Sequence, residues 1–141
     1  MKVKIGEIVN CYPVIMKSSL SKMNGKAKLQ MLKIIKVLKP IAIGFEDSRK
    51  EAVERLADDA YKAAMEKVNK PNDYNEDEVK EALKVVKTSD EAYNKFMQEE
   101  SEKEVDVDYE LLDEENFEAL LEGSKDLMPQ ELMMLSELIA K

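Results

Sequence analysis

Two short stretches of the chain alternate between apolar and polar residues with a period of two. Residues 1–5 read MKVKI and residues 104–109 read EVDVDY. Such alternation is typical of a half-buried β-strand. We place the first strand in residues 1–9 and the second in residues 104–109, and we expect them to pair. The lysines of the first would then lie opposite Asp106 and Asp108, and each cross-strand contact would contribute roughly 0.2 to 1 kcal/mol.

The chain that follows the first strand carries apolar residues at helical spacing. A short helix is predicted over residues 12–23, with Pro13 in its first turn, where a missing N–H group costs nothing. The pair Asn24-Gly25 would end this helix. A long helix is predicted over residues 26–68, with a kink near Pro40.

A return helix is predicted over residues 75–103, where the helical spacing of apolar residues resumes. Its predicted buried stripe comprises Val79, Leu83, Val86, Tyr93 and Met97. Two shorter helices, over residues 113–122 and 129–140, would follow the second strand. The predicted fold class is therefore mainly α (α+β), in a single domain of residues 1–141. It combines a long antiparallel helical hairpin with coiled-coil character, a small two-stranded sheet and a short C-terminal helix.

The composition fits a globular, helix-rich protein rather than a disordered chain. Hydrophobic residues make up 44% of the sequence and charged residues 37%. No apolar run approaches eighteen residues and no signal-peptide core follows the first residues, so we expect neither a membrane span nor secretion. Cys11 is the single cysteine, which excludes a disulfide within the chain.

Charge is distributed unevenly along the sequence. Residues 1–39 hold nine lysines and one acidic residue, a charge of +8. Residues 104–141 hold twelve acidic residues and two lysines, a charge of −10. Such a chain either folds its two ends together or presents them to oppositely charged partners. The predicted strand pairing favours the first arrangement.

Lysines form a stripe along the start of the long helix. The stripe consists of Lys22, Lys26, Lys33 and Lys36. A solvated helix face explains it most simply, and a surface for nucleic acid or an acidic protein is the alternative. No arginine precedes Arg49 and the only aromatic residue before Phe45 is Tyr12. Base stacking and bidentate base readout thus lack their usual residues, which argues against nucleic acid as a partner.

The residues available for catalysis are few. Histidine is absent, which removes the commonest general base and zinc ligand, and a single cysteine cannot form a thiolate zinc site. The four glycines are isolated, so there is no glycine-rich phosphate loop. The acidic clusters do not follow the spacing of a calcium loop. We therefore expect no catalytic residue, no metal site, no cofactor and no enzymatic activity.

The last predicted helix offers a candidate contact surface. Methionines make adaptable contacts, and a terminal amphipathic helix can dock in the groove of a partner. The alternative is that this helix folds back on its own hairpin, and both can hold in a homo-oligomer. The candidate contact residues are Leu132, Met133, Met134, Leu135 and Leu138.

Several short segments carry a resemblance to known proteins: residues 1–8 with Tyr12-Pro13, residues 45–51, residues 104–109, the segment ENFE at residues 115–118 and the segment MPQEL at residues 128–132. In these segments the chain resembles a family of small uncharacterised proteins encoded by bacteriophages and prophages. The resemblance touches both ends and the middle of the chain. It implies a phage or prophage origin, and action in the host bacterial cytoplasm or within the virion. It implies no catalytic residues.

These observations lead to a hypothesis and two alternatives. The first is a non-enzymatic phage protein that acts through protein contacts, as a virion-assembly or accessory factor. The second is an acidic inhibitor of a host defence or transcription protein, whose C-terminal third mimics nucleic acid. The third is a nucleic-acid binder that uses the lysine stripe.

Overall fold

The protein is mainly α-helical, with one small sheet. The computed structural model describes residues 1–141. Its elements are β1 (Lys2–Lys4), α1 (Ile5–Lys17), α2 (Gly25–Leu56), α3 (Asp59–Asn69), α4 (Glu76–Glu102), β2 (Glu104–Asp106), α5 (Glu114–Gly123) and α6 (Pro129–Ile139). A single 3-10 turn, Pro71–Asp73, separates α3 from α4. The predicted fold class, mainly α with a small sheet, is confirmed.

The structure divides into two compact units. The end unit consists of residues 1–45 and 101–141, and the hairpin unit consists of residues 46–100. Helices α2 and α4 each contribute residues to both units. The expectation of a single domain stays a prediction.

The predicted pairing of the two strands is confirmed. Strands β1 and β2 are antiparallel, with Lys2 opposite Asp106 and Lys4 opposite Glu104. The expectation that Asp108 also faces a lysine is wrong, since β2 ends at Asp106. The backbone contact continues one step further, where the Val107 N–H donates to the Met1 carbonyl at 2.9 Å.

The first strand is shorter than predicted because a helix begins inside the stretch assigned to it. The strand ends at Lys4 rather than at residue 9, and α1 starts at Ile5. The cause is a set of apolar residues at helical spacing, all buried: Ile8, Cys11, Val14 and Ile15. Gly6 lets the backbone of α1 lie close to the backbone at Ser101, because a Cβ atom at residue 6 would lie only 3.1 Å from the Ser101 carbonyl oxygen.

The short helix predicted over residues 12–23 lies earlier in the chain and ends at Lys17. Pro13 is in the interior of α1 rather than in its first turn. Asn24 does not end this helix but begins the next one, because its Oδ1 atom accepts the Ala27 N–H at 2.8 Å. An asparagine side chain caps the N-terminus of a helix as readily as it marks a stop.

The long helix predicted over residues 26–68 is two helices. Helix α2 continues through Pro40 and ends at Leu56, so the interruption lies at Ala57-Asp58 and not at the proline. Asp58 caps α3, because its side chain accepts the Tyr61 N–H at 2.8 Å. The apolar spacing runs on across this junction, which is why the sequence pattern alone did not indicate a break.

The hydrophobic core belongs entirely to the end unit. Its fully buried large side chains include Ile8, Met31, Ile34, Leu38, Leu112, Leu120, Leu135 and Ile139. Helix α6 packs mainly on α1. Backbone bonds close the core, since the Leu112 N–H donates to the Ile139 carbonyl at 2.8 Å and the Lys141 N–H donates to the Leu112 carbonyl at 2.9 Å.

The hairpin unit consists of the end of α2, α3 and most of α4. The first arm comprises α2 and α3, and the second is α4. Residues later in the first arm contact residues earlier in the second, so the two arms are antiparallel. The Arg55 guanidinium lies 5.0 Å from the Phe96 ring centroid, and the Tyr61 hydroxyl lies 3.2 Å from Asp90 Oδ1. Near the turn, Lys67 Nζ lies 5.8 Å from the centroid of the Tyr74 ring.

Candidate functional site

Three of the four stripe lysines share one wall of a groove in the end unit. Lys26, Lys33 and Lys36 line it from α2, and the cavity measures about 570 Å³. Lys22 does not take part, because α2 begins only at Gly25 and Lys22 lies in the preceding turn. Helix α2 therefore brings Lys26, Lys33 and Lys36 into one groove wall, whereas Lys22 lies outside the helix.

The opposite wall of this groove is acidic. Asp108, Glu110 and Asp113 line it together with Tyr109. Gln30 fixes the distance between the walls, since its Nε2 atom donates to the carbonyls of Glu110 and Leu111 at 3.1 and 3.0 Å. The sequence pattern gave no signal for this contact, which depends on tertiary packing. The lysines thus face carboxylates, and the groove does not form a uniformly basic surface for a polyanion.

The outward side of α2 carries large apolar residues that are exposed. Leu29, Leu32 and Ile43 are 52%, 45% and 47% exposed. An α-helix turns 100° per residue, which places these three opposite the buried Met31 and Ile34. The sequence already indicates this exposure. Leu29 lies two residues before Met31 and Leu32 one residue after it, so neither can lie on the same helix face as Met31.

The candidate contact residues of the C-terminal helix divide between the core and the surface. Leu135 and Leu138 are buried in the core of the end unit. That these two residues contact a partner stays a prediction. Leu132 is half-buried and Met134 packs against the core. Met133 is the only one of the five that is exposed, at 64%. Helix α6 is thus mainly a structural element.

An ion pair fixes the start of α6. Lys17 of α1 forms this pair with Glu131, whose Oε1 atom also accepts the Met128 N–H at 2.9 Å. The hydrogen bond from Lys17 and then the backbone bond lower the pKa of the Glu131 carboxyl. Glu131 therefore joins α6 to α1.

The stripe predicted to be buried along α4 is only half covered. None of Val79, Val86, Tyr93 and Met97 is buried, Leu83 is 49% exposed, and Ala82 is the only buried residue of this helix. The whole hairpin unit buries three residues, all of them alanines: Ala52, Ala64 and Ala82. A pair of helices covers only the facing side of each helix, so the large side chains of this unit lie at its edges.

A notch of about 270 Å³ opens on the hairpin unit beside Arg55 and Phe96. Ala52 and Ala92 leave this space because their side chains are too short to fill it. On the same unit, the Arg49 Nε–H group donates to both carboxylate oxygens of Glu46, at 3.0 and 3.1 Å. The hydrogen bond from Arg49 lowers the pKa of Glu46. The lining of the notch is mainly apolar and includes one cationic side chain, that of Arg55.

The chemistry of Cys11 is that of a buried structural residue. Burial raises the pKa of its thiol to about 12, so it stays protonated near neutral pH and is a poor nucleophile. No group of three or more His, Cys, Asp or Glu side chains is arranged to hold a metal ion.

None of the helices combines the length and the apolar composition that a bilayer span needs. The chain matches no protein-family model, no curated protein and no solved structure.

Proposed function

We propose that this protein is a non-enzymatic protein of phage or prophage type that acts through protein contacts, and that its hairpin unit pairs with the hairpin unit of a second copy. The resemblance seen in the sequence supports the phage origin, with the host cytoplasm or the virion as the place of action. The observation that carries the proposal is that residues 46–100 bury only three alanines. Their large apolar residues lack the cover that a stable helical unit needs.

A second hairpin would provide that cover by completing a four-helix bundle. The part of α4 in this unit, residues 76–100, is roughly 37 Å long at about 1.5 Å per residue, and two helices side by side are about 20 Å wide. Two such faces in contact would bury roughly 1,500 Å² in total, within the range of about 1,200 to 2,000 Å² for stable interfaces. The size of the face therefore fits an isologous dimer.

Light scattering coupled to size-exclusion chromatography tests this pairing. We expect a mass about twice the 16.1 kDa of the chain. Leu83→Lys places a charge on the exposed edge of α4 and should shift the protein to the monomer. Lys84→Gln changes the neighbouring exposed residue and should leave the dimer intact. A wild-type protein that stays monomeric at high concentration, or a Leu83→Lys variant that stays dimeric, would contradict the proposal.

An acidic inhibitor is the second candidate, and the exposed acids of α5 favour it. Glu114, Glu118 and Glu122 recur every four residues along this helix and are exposed. Such spacing puts them on one side of the helix. If this row mimics nucleic acid, the protein should compete with duplex DNA for a basic host protein, and Glu118→Lys should abolish the competition. The facing acidic and basic walls of the α2 groove favour nucleic-acid binding less.

A further inference from the structure

The end unit exposes a helix face that its own fold leaves uncovered. We call this face the α2 outer face; it comprises Leu29, Leu32, Lys36, Lys39 and Ile43. These residues are spaced by three, four, three and four positions, the pattern of one stripe on a helix. From its first to its last residue the stripe is about 21 Å long, or four turns. That length matches the footprint of one helix from a partner.

The face is strongly cationic. Between Gly25 and Phe45 the helix carries five lysines and no acidic residue. None of these lysines forms an ion pair within the protein, since the observed pairs all involve other residues. Lys36 faces the carboxylates across the groove without forming an ion pair, and Lys39 lies outside the groove, so both ammonium groups remain available to a partner. A partner that carried both carboxylates and apolar side chains would complement both features.

We propose that the α2 outer face is a docking surface for an acidic amphipathic helix of another protein. Leucine or isoleucine side chains of that helix would contact Leu29, Leu32 and Ile43, and its flanking carboxylates would pair with Lys36 and Lys39. This is the mode in which a helix binds through anchors at positions i, i+3 and i+7. The inference does not depend on hairpin pairing, because all of these residues belong to the end unit.

The surroundings of the face favour a narrow partner over a wide one. Leu29 and Lys36 also line the groove whose far wall carries Asp108, Glu110 and Asp113. Leu32, Lys39 and Ile43 do not line that groove. A single helix of about 10 Å diameter that is centred on these three residues would contact the face beside the groove. A DNA duplex or an anionic bilayer covers a wider area than one helix, and those carboxylates would repel it. The face also lacks the aromatic and arginine side chains that stack on bases, whereas exposed aliphatic residues contribute to a protein contact.

Fluorescence anisotropy with a synthetic labelled peptide tests the proposal on the full chain. The probe is a helix with leucines at i, i+3, i+4 and i+7 of each repeat and glutamates elsewhere; the comparison peptide has lysines in place of the glutamates. We expect saturable binding of the acidic probe, weaker at high salt, and no binding of the basic one. Leu32→Gln and Lys36→Glu should each weaken binding about tenfold or more.

The matched control is Lys125→Glu, which makes the same charge change at an exposed residue of the end unit outside the α2 outer face. It should leave affinity for the acidic probe within about twofold, since a distant exposed charge acts only through the screened field. Failure of the acidic probe to bind, or equal weakening by Lys125→Glu and Lys36→Glu, would overturn the proposal. Tighter binding of duplex DNA, or of vesicles containing phosphatidylserine, than of the probe would overturn it as well.

Discussion

Gly123, the last residue of α5, has no room for a side chain. A Cβ atom at this position would lie 2.8 Å from the Ser19 carbonyl oxygen, a backbone atom that cannot move independently. The contact is held in place because the Ser19 N–H donates to Ser124 Oγ at 2.9 Å. We expect Gly123→Ala to lower the free energy of unfolding by about 1 to 3 kcal/mol, the usual cost of overpacking. Urea denaturation followed by circular dichroism measures the change.

Gly44 supplies the control for this prediction. It lies inside α2, and a Cβ atom there would meet nothing within 4 Å. Gly44→Ala should therefore raise the free energy of unfolding by about 0.5 to 1 kcal/mol, because alanine loses less backbone entropy in a helix. Opposite signs at the two glycines are expected, and stabilisation by Gly123→Ala would contradict the close contact with Ser19.

A buried thiol and a half-buried hydroxyl group of the end unit make its stability fall at alkaline pH. Burial raises the pKa of the Cys11 thiol and of the Tyr109 hydroxyl, each to about 12. The unfolded chain loses these protons at lower pH than the folded chain, near the ordinary values of about 9.0 and 10.0. The contribution of these two groups to the free energy of unfolding should thus be constant below pH 9 and should fall as pH rises from 9 to 12. Urea titrations across this range measure the slope.

Substitutions separate the two groups. Cys11→Ala removes the thiol proton and should flatten the part of the slope that begins near pH 9. Tyr109→Phe should flatten the part that begins near pH 10. It should also cost about 1 kcal/mol at neutral pH, because the Tyr109 hydroxyl donates to the Leu138 carbonyl at 2.9 Å. An unchanged slope in the double variant would mean that other groups cause the alkaline loss.

The boundary between α2 and α3 depends on one side chain, Asp58. Its carboxylate accepts the Tyr61 N–H, one of the amides that a helix start leaves without a partner. Asp58→Ala should destabilise α3 by about 0.5 to 2 kcal/mol. Amide hydrogen exchange at Tyr61 and its neighbours, followed by NMR, should become faster.

Asp59→Ala is the comparison for this helix start. Asp59 lies in the first turn of α3 and interacts with the helix dipole without capping an amide. Its loss should cost less, and the exchange rate at Tyr61 should change little. Similar effects of the two substitutions would show that charge, rather than the cap, maintains the boundary.

Local sequence patterns predicted which helices and strands form better than they predicted the first and last residues of each. The alternation of apolar and polar residues in both strands predicted the pairing of β1 with β2. The helical spacing of apolar residues predicted that the rest of the chain is mainly helix. At Ile5 the alternation of a strand overlaps the apolar spacing of a helix. At Asp58 the apolar spacing continues across a helix cap. Tertiary packing decides which of the two local structures forms at each position. The lysine wall was visible in the sequence, but the acidic wall opposite was not, because the contact of Gln30 with Glu110 and Leu111 joins residues distant in sequence.

At the scale of the molecule, the two units differ in how much they bury. All large buried residues lie in the end unit, while the hairpin unit buries only alanines. We expect the amides of residues 60–95 to exchange at lower denaturant concentration than those of α1, because local stability follows buried apolar contacts. Native-state hydrogen exchange in the monomeric Leu83→Lys variant measures the difference. Equal protection of both regions would contradict it.

The closure of the core by Leu112, Ile139 and Lys141 has a consequence for synthesis on the ribosome. Met31, Ile34 and Leu38 leave the exit tunnel early, but the residues of α6 that complete their cluster are translated much later. Chaperones should therefore bind this part of the nascent chain until α6 has emerged. The hairpin unit has local contacts and would fold while the chain is still attached. If the hairpin units pair as proposed, those of two nascent chains on one messenger would join before either core is complete.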